Sequence, residues 1–330
     1  MFYPEVTILI PIRNVAKFIK ECLDALLSQD YPQEKFEVWL LDNYSDDGTL
    51  EIVKRYPSDK VKVFQLGIDP PAIKYNLVLP KVKTTVVGLV DGDAIMDKHW
   101  LSRVVQPLSD KKTAGASGMV YTRNTDSLIA RVVGYDLEER YYRLPREIKS
   151  AATMHTVYKT DVLRALGGFN EKLKTGYDCE IGYRINEAGY KIIFVREAKV
   201  FHYHRASLKS YFRQHYEYGK FAFIRCSQKT KYIKGDELAP FSMALQPFAY
   251  LFILLFLALS FLTALPFWFS FLPILLLLFI YLYTALRISL KHRDFSALFL
   301  VVVCFVRSFA WTLGAGVSCF RIIFRRTGRK

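Results

Sequence analysis

Residues 84–93 read TTVVGLVDGD. An unbroken apolar, β-branched run of this length predicts a strand buried on both faces. It ends in two carboxylates separated by a glycine. Residues 6–12 are another such run, and residues 36–41 and 61–66 read as further strands. Between them residues 15–28 have helical spacing, with Phe18, Ile19, Cys22 and Leu26 on one face, and residues 49–55 also read as a helix. This alternation predicts an α/β domain with a largely parallel, Rossmann-like sheet and right-handed crossovers. Ligands of such sheets gather beyond the carboxyl ends of the strands. Asn14, Asp42, Asp91 and Asp93 all fall at those ends.

The chain has 330 residues, of which 52% are hydrophobic, yet its net charge is +15. A chain this apolar can bury a core, which excludes disorder. Apolarity combined with so much Lys and Arg argues against a fully soluble enzyme. It suggests a membrane protein facing anionic headgroups or phosphates. The five cysteines, 22, 179, 226, 304 and 319, are odd in number and lack CxxC spacing. They argue against a disulfide framework or zinc site and fit a reducing compartment. Residues 1–14 lack the basic start of a signal peptide and are broken by Pro11.

The apolarity concentrates after residue 240. Residues 241–265 and 267–286 are each long enough to cross a hydrocarbon core of about 30 Å. They form a hairpin with Pro266 in its outer turn. Lys229, Lys231 and Lys234 precede it, and Arg287, Lys291 and Arg293 follow. The positive-inside rule then places residues 1–240 in the cytoplasm of a multi-pass plasma-membrane protein. A third stretch, 295–320, carries Arg307 near its middle and Arg321, Arg325, Arg326, Arg329 and Lys330 beyond it. It reads either as a span or as a re-entrant or interfacial segment. A 1–225 catalytic domain followed by a 226–330 α-helical membrane region is the expected organisation. Residues 207–225 combine aromatics with Lys209, Arg213, Lys220 and Arg225, as expected of an interfacial amphipathic helix. The basic, aromatic stretch 140–146, with Arg131 upstream, reads equally as an anion site or a solvated loop.

Three constellations carry chemistry. Asp42, with Ser45, Asp47, Gly48 and Thr49, can hold a base or ribose, or simply form a capped turn. Asp91-Gly92-Asp93 offers two hard oxygen donors suited to Mg or Mn, although Asp-Gly is also a common turn pair. Asp178 and Glu180 open a helix, where they could compensate its dipole or act as a base.

In this order the motifs resemble the inverting glycosyltransferases of family 2, which have the GT-A fold. The resemblance covers about residues 4–225 and rests on several short motifs. These are Pro11-Ile12-Arg13-Asn14, Asp42 with Ser45-x-Asp47-Gly48-Thr49, Lys74-Tyr75-Asn76, Asp91-Gly92-Asp93, Gly167-Gly168-Phe169-Asn170 and Tyr177-Asp178-Cys179-Glu180. It implies a nucleotide-sugar donor held by Pro11, Asn14, Asp42, Lys74, Asn76 and Asp91. It also implies a divalent cation, Mn or Mg, on Asp91 and Asp93. A further ligand would be His202 or His204. Asp178 would be the general base, with Glu180 as the alternative. Acceptor contacts are implied around Arg213, Gln214 and His215. Tyr177 and Glu180 depart from the family's Glu-Asp-x-Asp pattern, and Tyr177 is expected to alter acceptor contact.

The implied function is sugar transfer to a hydroxyl of a lipid-linked acceptor in polysaccharide, glycolipid or glycan assembly. A polyprenyl (dolichyl)-phosphate sugar synthase is the alternative. A lipid phosphate is already ionised and needs no base, so Asp178 favours a hydroxyl. No Gln-x-x-Arg-Trp of a processive synthase is present. A non-enzymatic membrane scaffold would not need these polar residues in this order. Nucleic acid is disfavoured, because much of the basic charge flanks apolar segments.

Overall fold

The structure, a computed structural model, describes residues 1–228, 235, 237–239, 241–263 and 266–327. Lys229, Lys231, Lys234, Arg329, Lys330 and the predicted span end at Leu265 lie outside the described residues. The chain forms two compact units. One is Met1–Arg123 with Tyr141–Tyr203, and the other is Asn124–Arg140 with His204–Lys330.

The first unit begins β1 (Val6–Ile12), α1 (Ala16–Leu27), β2 (Phe36–Asp42), α2 (Thr49–Val53), β3 (Val61–Gln65), α3 (Pro71–Val78), β4 (Val86–Val90). These four strands pair in parallel, in the order β3-β2-β1-β4, as the alternation predicts. Ile8, Ile10, Val38, Leu40, Val86 and Val90 fill the core between sheet and helices.

The other half of the sheet departs from the parallel expectation. After β5 (Ala94–Met96) and α4 (Trp100–Val104) come β6 (Thr113–Thr122) and α5 (Leu128–Tyr142). Then follow β7 (Glu147–Ile148), β8 (His155–Lys159), α6 (Thr160–Ala165), α7 (Tyr177–Glu187) and β9 (Lys191–His202). β8 runs antiparallel to both β4 and β6, and β5 runs antiparallel to β9. The sheet is therefore mixed, in the order β3-β2-β1-β4-β8-β6-β9-β5, with β7 on β9. β6, rich in Gly, Ala and Ser, has no long β-branched run to signal it.

β9 pairs in parallel with β6, and the register slips between Gly118 and Met119. A Cβ on Gly118 would lie 2.0 Å from the Ala198 carbonyl oxygen. His155, fully buried, sits with its Nε2 2.9 Å from the Gly118 carbonyl and 2.9 Å from Ser117 Oγ. Burial pushes this imidazole down to about 3, so it stays neutral. Gly118→Ala is expected to destabilise the protein by about 1–3 kcal/mol, as overpacking does. Thermal unfolding checks this, and an unchanged melting temperature would refute the close approach.

The second unit gathers α5 with α8 (Leu208–Gln228), α9 (Phe241–Leu262), α10 (Leu272–His292) and α11 (Leu300–Thr327). Tyr211, Leu277, Tyr281, Ile288, Leu300 and Val303 are among its buried contacts. Polar residues of α5 meet charges on the apolar helices. Arg131 Nε lies 3.1 Å from Asp294, and Tyr135 donates to the same carboxylate at 3.1 Å. Glu139 pairs with Lys291, with Arg287 3.9 Å away. Asp136 lies 2.7 Å from Arg307, which is 4% exposed, and 3.1 Å from Arg140. Burial alone would raise the Asp136 carboxyl, but the two guanidinium groups outweigh it and hold it below the usual range. In the 140–146 stretch, Arg140 is thus internally paired, whereas Arg143 and Arg146 are exposed.

Candidate active site

The carboxyl ends of β1 and β2 are stapled together by the first motifs. Asn14 and Tyr44 take left-handed backbone angles at the two strand exits. Asn14 Oδ1 accepts from the Asp46 N–H, and Ser45 Oγ accepts from the Asn14 N–H. Thr49 Oγ1 and Asp47 Oδ2 accept from the first N–H groups around α1, those of Val15 and Ala16. Ser45, Asp47 and Thr49 therefore build the floor, satisfying amides that a helix start leaves unpaired. Asp42 is fully buried at the strand end, where Ser45 donates to it from Oγ at 2.6 Å. Lys74 on α3 is 2% exposed, with Nζ 3.7 Å from Asp69. Burial lowers its pKa, while Asp69 and Asp42 oppose that shift. Pro11 pairs with Leu41 in the β1–β2 ladder.

Asp91 and Asp93 follow β4. The β5–β9 pairing sets Ala94 opposite His202, and the Tyr203 N–H donates to the Asp93 carbonyl. His202 Nε2 is thereby 3.1 Å from Asp93 Oδ1. One ligand atom from each of Asp91, Asp93 and His202 lies within 4.8 Å of the other two. Two carboxylates and an imidazole within that span fit Mn²⁺ or Mg²⁺, with Mn²⁺ more tolerant of the imidazole. His202 is thus the histidine placed with the aspartates. His204 lies in the second unit, where its N–H donates to Asn124.

Asp178 sits in the first turn of α7, its Oδ1 accepting from the Cys179 N–H. Burial, Tyr177 and the Asp91 and Asp178 carboxylates push the Tyr75 phenol well above its ordinary value. Tyr75 is fully buried. Glu180, by contrast, forms a two-pronged bridge to Arg184, at 2.9 Å from Nε and 2.8 Å from Nη2. Arg184 also donates to the Leu166 and Gly168 carbonyls, at 2.6 Å each. Glu180 therefore anchors the Gly-Gly-Phe turn through Arg184.

Two other residues are structurally engaged. Asn76 donates to the Phe169 carbonyl and accepts from the Phe169 N–H, both at 2.8 Å, clamping the same turn. Gly168 has φ +71°, and a Cβ there would be 2.3 Å from Asn76 Oδ1, so both φ and space require glycine. Tyr177 packs edge-on against Tyr75 and Phe169, with centroids 6.3 and 5.9 Å away, and is 9% exposed. Tyr177 thus has a packing role at the position where the family pattern has glutamate.

Sequence reasoning missed Glu21 on α1. It binds Arg123 at 2.6 Å and the Tyr203 hydroxyl at 2.8 Å, tying α1 to the strand end that carries His202. These three residues are far apart in sequence and match no local pattern. Arg213, Gln214 and His215 lie on α8 in the second unit. There His215 Nδ1 accepts from the Trp311 indole at 3.0 Å, and Gln214 donates to Tyr218.

Residues 4–216 match the family described as glycosyltransferase like family 2. The chain belongs to that family. Among curated relatives it is 29% identical over 205 residues to Glycosyltransferase AglE of Haloferax volcanii, matching 59% of this chain. The match covers 65% of AglE's length. It is 22% identical over 230 residues to a Methanococcus voltae protein, covering 65% of this chain and 71% of that one. That protein is named dolichyl N-acetyl-alpha-D-glucosaminyl phosphate 3-beta-D-2,3-diacetamido-2,3-dideoxy-beta-D-glucuronosyltransferase. Among solved structures, the mannosyltransferase PcManGT of Pyrobaculum calidifontis, in complex with GDP-Man and Mn²⁺, superposes with a TM-score of 0.58. It is 19% identical and covers 94% of this chain and 88% of its own. The first unit of this family 2 glycosyltransferase has the GT-A fold. Three of its helices, Ser242–Leu262, Phe267–His292 and Phe295–Ile322, are long and apolar enough to cross a membrane.

Proposed function

We propose that the chain is a membrane-anchored inverting glycosyltransferase that moves a sugar from a nucleotide-sugar to a hydroxyl of a lipid-linked acceptor. The observation that carries this is the cluster of Asp91, Asp93 and His202. Asp91, Asp93 and His202 would hold a divalent cation, which would act as a Lewis acid for the leaving diphosphate. Asp42, at the end of β2, accepts N–H or O–H groups of the nucleoside. Lys74 adds positive charge beside Asp42. Asp178 takes the acceptor's proton as the acceptor oxygen bonds the anomeric carbon. The bond from that carbon to the phosphate oxygen breaks, and the nucleoside diphosphate departs with the electron pair. Attack opposite the leaving group inverts the centre.

The apolar helices support membrane anchoring. The dolichyl-linked sugar phosphate in the Methanococcus voltae relative's name supports a lipid-linked acceptor. With the basic residues flanking the hairpin, the reading places the first unit in the cytoplasm at the plasma membrane.

The test is a panel of nucleotide-sugars incubated with the full-length protein and Mn²⁺, with and without lipid-linked saccharide. One donor is expected to release nucleoside diphosphate and label the lipid. If no donor releases diphosphate under any condition, the enzymatic reading fails.

A further inference from the structure

We infer that α11, though long and apolar enough to cross a membrane, lies in the headgroup layer on the catalytic side, paired with α8. This rests on the membrane anchoring proposed above.

The argument starts from Arg307. Its guanidinium is 2.7 Å from Asp136 on α5. Residues 124–140 leave the first unit and return to it, so they are covalently tied to that unit at both ends. α5 also holds Arg131, Glu138, Glu139 and Arg140, which keep it in a polar layer. Arg307 must therefore stay at the same level and on the same side. From Ser308 to Ile322 the apolar segment has only about 22 Å of helix left, at 1.5 Å per residue. A hydrocarbon core is about 30 Å thick.

The neighbouring helix points the same way. α8 and α11 run side by side in the same direction. Phe212 packs on Phe309 with centroids 6.4 Å apart, His215 accepts from Trp311, and the Lys220 carbonyl accepts from Ser318. A Cβ on Gly219 would be 2.4 Å from the Trp311 carbonyl, and one on Gly314 would be 2.1 Å from that of Tyr216. The backbones thus touch along this stretch. α8 carries Lys209, Arg213, Glu217, Lys220 and Arg225. A path through hydrocarbon would drag these charges with it, at several kcal/mol for each unpaired one.

Exposure agrees. No residue is buried in the most apolar 18-residue stretch of Ser242–Leu262, as expected of a helix ringed by lipid, whereas 44% of the corresponding stretch of Phe295–Ile322 is. Among the described residues of α11, the large apolar side chains left exposed are Val302, Phe309, Leu313 and Phe320. At this spacing they form a single stripe, the pattern of a helix half-sunk in an interface. The basic end of the chain then stays on the catalytic side, in line with the positive-inside rule.

The test uses the full-length chain in a bacterial inner membrane, with a phosphatase that is active only beyond the membrane. The reporter is placed at the N-terminus, between Thr263 and Pro266, or at the C-terminus. Activity is expected at the middle site alone. Activity at the C-terminus as well would overturn the inference while leaving the membrane reading intact. A soluble protein, or an inactive middle fusion, would overturn both. Depth is read from a spin label at Leu313→Cys, with Cys179, Cys226 and Cys319 changed to serine, in lipid nanodiscs. Quenching by a water-soluble relaxant is expected to place the label near the headgroups. A position near the bilayer centre would exclude an interfacial helix in favour of a buried one.

Discussion

Asp93→Ala is expected to abolish sugar transfer and to remove the dependence of donor binding on Mn²⁺. Asp93 is the carboxylate that His202 faces at 3.1 Å, and Asp91 alone cannot hold a cation opposite the imidazole. Charge stabilisation at a leaving diphosphate is worth several kcal/mol. At about 1.4 kcal/mol per factor of ten, the loss is roughly 10³-fold or more. Asp91→Ala should do less to the pairing with His202 and retain more activity. The measurements are turnover and donor affinity with and without Mn²⁺, with far-ultraviolet circular dichroism to verify the fold. Near-normal turnover in a folded Asp93→Ala protein would remove the metal assignment.

Asp178→Asn is expected to lower turnover by about 10²–10⁴-fold, the usual cost of a lost general base. Donor affinity should barely change, because the base serves the acceptor and not the diphosphate. Glu180→Gln should act differently. It breaks the bridge to Arg184 that holds the Gly-Gly-Phe turn, so it should lower the melting temperature as well as the rate. If the acceptor were a lipid phosphate, already charged, Asp178→Asn would cost far less and could even accelerate transfer. Full activity in Asp178→Asn therefore points to a phosphate acceptor or another base. Full activity in both variants would leave a hydroxyl acceptor without a base.

The parallel half of the sheet was legible because its strands are short, mostly apolar runs, unbroken in β1 and β4, with helical spacing between them. The antiparallel half was not. β6 is built of Gly, Ala and Ser, chosen by close approach to β8 and β9, and such packing leaves no periodicity. Asp91 and Asp93 were readable as a pair, but their histidine was one of two open choices. The β5–β9 register, a tertiary fact, separates His202 from His204. Asn76 and Glu180 matched family motifs, yet their side chains are occupied by a turn nearly a hundred residues away in one case and by Arg184 in the other. A motif records that a residue type is required. It does not say whether substrate or backbone requires it.

The pairing of Asp136 with Arg307 also orders events during synthesis. The two residues are 171 positions apart. At 5–20 residues per second, the aspartate leaves the ribosome roughly ten to thirty seconds before its arginine exists. The strands on either side of α5 can pair with one another in that interval, since all of them precede residue 204. The sugar-transfer unit can thus be complete while α5, already threaded out of it, still waits for the last helix of the chain. Assembly of the second unit thus waits for α11, and a nascent chain halted before residue 300 would carry a finished sheet with Asp136 paired to Arg140 alone.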